Sequence, residues 1–185
     1  MKLIIENWRK FLTESTMEED PDAGLLQPSE IPGELYHATQ PTRFTSIHEG
    51  GITDKAESRH GGGQEGVSLT TDFDVVKGGN FGNLVLVLEG PGLAADGNYE
   101  FRSVQHPTAP NEAEIRVTMR DSAAGSGSGI DPQVDALGTT IPFKHVQKVV
   151  YLRQPPRFEI KWMKDKYPDI PFAYYDKEND SIQDY

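Results

Sequence analysis

"GELYHATQ", Gly33 to Gln40, sets the first strand of the fold. Leu35 to Thr39, "LYHAT", is short and rich in strand-forming residues, which predicts a strand. A histidine in an apolar-flanked strand raises the question of what it holds. Working outward, "FTSIHEGG" (Phe44–Gly51) spaces Phe44, Ile47 and His48 along one face and closes on two glycines, as a short helix does. "VSLTT" (Val67–Thr71) predicts a second strand, after which Asp72 caps a helix through Val76.

"LVLVLEG" (Leu84–Gly90) is a continuous apolar run of strand length, hence a central strand. "YEFRSV" (Tyr99–Val104) and "AEIRVTM" (Ala113–Met119) follow as strands, and "VQKVVYL" (Val146–Leu152) as another. Phe158 to Tyr167 is expected to form a terminal helix. The Gly- and Ser-rich stretches "SRHGGGQEG" (Ser58–Gly66), "GGNFGN" (Gly78–Asn83) and "SAAGSGSG" (Ser122–Gly129) read as loops. Many short strands with two or three helices predict an α+β domain over residues 34–185.

Two segments precede it. Ile4, Ile5, Trp8, Phe11 and Leu12 recur at helical spacing, so residues 1–14 are expected to be an amphipathic helix, too interrupted for a secretory signal. "STMEEDPDAGLLQPSEIP" (Ser15–Pro32) is acidic and aperiodic, which predicts a linker over 15–33.

Composition removes several chemistries. The 185 residues include no cysteine, so disulfides, thiolate zinc sites and a cysteine nucleophile are excluded. The five histidines form no HExxH or other close ligand pair, so no metal is expected. No apolar run approaches the roughly 20 residues that span a bilayer, so no membrane association is expected. The net charge of −11 disfavours non-specific binding to nucleic acid, which needs lysine and arginine on phosphates.

Three stretches carry candidate chemistry: "LYHAT" with His37, "GVSLTTD" with Ser68 and Thr70, and "NEAEIRV" with Glu112 and Glu114. Each lies on or beside a predicted strand, and period two sets Glu112 and Glu114 on one side. Taken in the order His, Ser, Glu, the chain resembles the ADP-ribosyltransferase fold family. In that family a first strand carries histidine or arginine, a second a serine–threonine or tyrosine segment, and a third a glutamate, often as Glu-x-Glu. "IPFKHVQKVVYL" (Ile141–Leu152) is similar to the closing strand of such domains. The resemblance covers about residues 34–152 and implies a split antiparallel sheet with a few flanking helices.

It also implies NAD as substrate and mono-ADP-ribosyl transfer to a macromolecule, a host protein more than a nucleic acid. His37 would hold the adenosine ribose, and the backbone at Ala38 and Thr39 would meet the nicotinamide amide. Ser68 would support the carboxylate beside Thr70, Glu114 would serve the nicotinamide ribose, and Glu112 would orient or deprotonate the acceptor. The second strand lacks the tyrosine of the histidine-bearing branch, leaving Tyr36, Phe73 or Phe81 to stack on nicotinamide. The alternatives are an RNA 2′-phosphotransferase-like NAD enzyme, or a non-catalytic phage internal head or inhibitor protein that binds a host factor.

Residues 1–15 are similar to the capsid-targeting segments of internal head proteins of large tailed phages. There the prohead protease cuts after Leu-x-Glu, as in Leu12-Thr13-Glu14 before Ser15. That resemblance implies carriage inside a virion and delivery to the host cytoplasm; otherwise the expectation is cytoplasmic.

Overall fold

The computed structural model describes residues 24–53, 66–78, 81–106, 109–120 and 139–185. The amphipathic segment expected at 1–14 and the loops at 58–65 and 122–129 lie outside these residues. The described part is α+β. Strands β1 (Glu34–Thr39), β3 (Val67–Thr70), β4 (Leu84–Glu89), β5 (Tyr99–His106), β6 (Ala109–Met119), β8 (Val146–Tyr151), β9 (Phe172–Asp176) and β10 (Ser181–Asp184) form one sheet. Its order is β10-β9-β8-β4-β1-β3-β6-β5, and β2 (Ile52–Thr53) pairs separately with β7 (Thr140–Ile141). The helices are α1 (Phe44–Gly50), α2 (Phe73–Lys77), α3 (Gly90–Ala95) and α4 (Arg157–Lys166).

Each element follows from its local sequence. In β4, Leu84 through Leu88 are all buried, as a strand with neighbours on both edges and cores on both faces requires. Asp72 caps α2 by accepting from the Asp74 amide at 2.8 Å. Gly51 ends α1 at φ +84°, a conformation that glycine adopts without cost.

The sheet is mixed rather than purely antiparallel. β8 and β9 run parallel, because α4 provides the crossover that returns the chain in the same direction. The β9–β10 hairpin and α3 lie beyond the elements expected from sequence. The expected linker also extends too far. Leu25 bridges to Arg102, Leu26 packs on the core, and Ile31 is buried, so residues 25–31 belong to the domain.

One junction divides the sheet. Six register pairs join β1 to β4, from Glu34–Glu89 to Thr39–Leu84, whereas β1 and β3 meet in register only at Tyr36–Thr70. Five strands thus lie on one side of a seam and three on the other. One face is covered along its width by a core that includes Leu35, Leu86, Ile115, Val149 and Ile160. The opposite face has a second core, with Val85, Val87, Val150 and Tyr175 under Val76 of α2, on the five-strand side only. Across the seam that face becomes polar, with Ser68 and Thr70 on β3 and Glu114 and Arg116 on β6.

Candidate functional site

The site is built on the β3–β6 ladder. Val67 opposes Val117 and Leu69 opposes Ile115, and these four side chains enter the large core. Period two then turns Ser68, Thr70, Glu114 and Arg116 to the other face, with Ser68 opposite Arg116 and Thr70 opposite Glu114. Ser68 Oγ donates to Glu114 Oε1 at 2.6 Å, and Arg116 Nη2 donates to the same oxygen at 2.5 Å. The two charged side chains are only 13% (Glu114) and 15% (Arg116) exposed. Among the described residues, Glu114 Oε2 has no hydrogen-bond partner. One carboxylate oxygen is therefore fixed twice. Hydrogen bonds to a charged group contribute about 1.5–3 kcal/mol each, enough to hold one rotamer.

His37 joins this arrangement from the seam. Its Nδ1 lies 3.1 Å from the Ser68 carbonyl oxygen. A carbonyl only accepts, so Nδ1 carries the proton, and in the neutral ring the lone pair is on Nε2. The bond has a structural cause. Where β1 stops pairing with β3, main-chain groups of β3 need other partners, and the histidine ring supplies one. Register sets His37 on the large-core face with Leu35 and Thr39, and Tyr36 on the face of Thr70 and Glu114. His37 therefore reaches Ser68 through its backbone, not through the carboxylate face.

The other candidates fall around the seam. Ala38 and Thr39 pair with Val85 and Leu84 on one side and face no strand in register on the other. Thr70 is buried, and its Oγ1 accepts from the Asp72 amide at 3.2 Å. Phe81 is 56% exposed. Gly82 follows it at φ +146°, where an added Cβ would fall 2.1 Å from the Thr39 carbonyl oxygen, so the loop presses against the end of β1. Glu112 is on β6, two residues before Glu114, and its side chain lies outside the described ones.

Of the three aromatic candidates, Tyr36 shares the face of Glu114. Phe73 meets it edge-on at 5.5 Å. Burial first, and then the Tyr36 hydroxyl's 2.7 Å bond to Glu34, push the Tyr36 pKa up to about 12, so it stays a neutral phenol. Sequence reasoning missed Arg116. The available signal was Glu-x-Arg on a strand, which aligns opposite charges on one face.

Among the described residues no group of three His, Cys, Asp or Glu side chains is placed to hold a metal ion, and no helix is long and apolar enough to cross a membrane. Two shallow surface concavities, one at Lys148, Lys164 and Tyr185 and one at Arg153, Tyr174 and Lys177, lie on the β8–β10 side, away from Ser68 and Glu114. No protein-family model, no curated protein and no solved structure matches the chain.

Proposed function

We propose that this chain is a mono-ADP-ribosyltransferase that uses NAD, with an ADP-ribosyltransferase-like arrangement about the β1–β3 seam and a protein as acceptor. The observation that carries the proposal is Glu114, held on Oε1 by Ser68 and Arg116, one strand in from a seam that His37 braces from the opposite face through the Ser68 carbonyl. The chemistry suits a cationic leaving group. In NAD the nicotinamide nitrogen already carries positive charge, so the bond to C1′ breaks with its electron pair going to nicotinamide and needs no acid. The ribose then resembles an oxocarbenium ion. A preplaced carboxylate stabilises that charge more than it stabilises the ground state.

In this reading Glu114 Oε2 accepts from the ribose 2′-hydroxyl, and Glu112 orients or deprotonates the acceptor nucleophile. The open edge of β1 at Ala38 and Thr39 presents main-chain groups to the nicotinamide amide, and Tyr36 or Phe81 offers a ring. His37 serves this site from the opposite face of the sheet, by holding the main chain of Ser68. Residues 1–14 serve as a removable virion address, and the acceptor is a host protein.

The test incubates the purified protein with NAD labelled in the adenine moiety, with and without host lysate. Nicotinamide release together with label on protein is the expected result. NAD binding without nicotinamide release under any condition would reject the activity.

A further inference from the structure

Arg116 was not among the residues that the sequence singled out, yet it makes the shortest contact to the proposed carboxylate, 2.5 Å from Nη2 to Glu114 Oε1. Register fixes this contact. Ser68 lies directly opposite Arg116, so both groups that hold Oε1 come from one rung of the β3–β6 ladder. On the next strand Arg102 lies directly opposite Arg116, with Glu100 3.9 Å from Arg102. Like charges facing each other across a ladder cost stability. Pairing Arg116 tightly with Glu114 offsets that cost.

Two opposed effects of Arg116 on an oxocarbenium-like state can be separated. Its charge weakens the field of Glu114 at a cation, which would slow the reaction. Its bond fixes the carboxylate in one rotamer and provides the counter-charge for a side chain only 13% exposed, which would speed it. Breaking one partner from a covered pair leaves an uncompensated charge, and a misplacement of about 1 Å costs on the order of 10²-fold in rate. The second effect is the larger.

We infer that Arg116 is a positioning residue, which turns Glu114 Oε2 toward the substrate by clamping Oε1 jointly with Ser68. The inference rests on the ADP-ribosyl-transfer reading, and it acts through Glu114 alone.

The experiment measures steady-state nicotinamide release by the full chain for the parent, Arg116→Met, Arg116→Lys, Glu114→Gln and the Glu114→Gln/Arg116→Met pair, with a melting curve for each. Arg116→Met is expected to lower kcat about tenfold or more while KM for NAD changes less than about twofold. Arg116→Lys, which retains the charge and a donor, is expected to recover most of the loss. In the Glu114→Gln background, Arg116→Met should add less than about a twofold further loss, because its target is already gone. Losses that multiply independently, or a change in KM alone, would overturn the inference. If Arg116→Met unfolds, Arg116→Lys in the parent and Glu114→Gln backgrounds decides by the same non-additivity. If the parent itself releases no nicotinamide, the NAD reading fails. Carbon-13 couplings of the Glu114 side chain then decide the positioning role. One rotamer in the parent and averaging in Arg116→Lys or Arg116→Met supports it, and unchanged couplings overturn it.

Discussion

Ser68 is held from two sides by His37 and Glu114. Its carbonyl accepts from His37 Nδ1 at 3.1 Å, and its hydroxyl donates to Glu114 Oε1 at 2.6 Å. One residue of β3 thereby ties β1, the edge of the five-strand half, to the polar face of the three-strand half. The seam is fixed in geometry with a single register pair, Tyr36–Thr70, across it.

His37→Ala should affect both stability and ligand binding. Truncation removes the donor to the Ser68 carbonyl from a buried position, a loss of about 1–3 kcal/mol in stability. NAD affinity should also fall, by about five- to 150-fold. His37→Asn keeps a donor where Nδ1 stands and lacks Nε2. It should restore much of the melting temperature and, with β3 held again, much of the affinity. Thermal melts and calorimetric titration with NAD follow the two separately. Affinity that stays low while the melting temperature returns would contradict a role through β3 alone.

Truncation from the N-terminus should show a threshold. Removing residues 1–14 is expected to leave the melting temperature and NAD affinity unchanged. Removing residues 1–31 takes away Leu26, packed on the core, and Ile31, 6% exposed. Burying a side chain such as isoleucine contributes about 1.5–3 kcal/mol, so the longer truncation should lower the urea midpoint markedly. A midpoint that falls equally with the shorter truncation would place the first 14 residues in the fold.

Acid should loosen the join between α3 and β8. Asp96 accepts from Lys144 at 2.9 Å and from His145 at 2.7 Å, and these contacts, Lys144 first, hold its carboxyl below the ordinary value of 3.8. A depressed carboxyl contributes stability above its unfolded-state value and loses it as pH falls through the folded one. The contribution should therefore be intact at pH 5 and decline progressively below about pH 4, as pH falls toward the depressed folded value. Asp96→Asn should flatten the pH dependence of the urea midpoint in that window, and an unchanged acid limb would remove Asp96 from it.

Patterning explains which parts were readable. β4 was visible because five consecutive apolar residues suit only a strand covered on both faces. Alternation marked β6, short stretches rich in strand-forming residues marked β1 and β3, and Asp72 and Gly51 marked helix ends. Pairing partners were not visible, since register depends on contacts far apart in sequence. The parallel β8–β9 pair, the Ser68–Arg116 rung and the single-pair seam all depend on it. Acidic and proline-rich composition concealed the packing of Leu25, Leu26 and Ile31. The apolar run in Phe172–Asp176 was short and ended in a charged turn, Lys177 to Asp180, which concealed the last hairpin. The candidate carboxylate and serine were legible as types in order, but the arginine that shares their oxygen was not.

On the ADP-ribosyl-transfer proposal, Glu114 acts on the transition state through its charge. Glu114→Gln preserves size and most hydrogen bonding while removing that charge. Nicotinamide release and label transfer are measured side by side for the parent, Glu114→Gln and Glu112→Gln, with NAD affinity by titration. Glu114→Gln should lower both release and transfer by about 10²-fold or more with little change in affinity. Glu112→Gln should impair transfer yet spare slow hydrolysis, in which water replaces the acceptor. Undiminished nicotinamide release by Glu114→Gln would contradict the account.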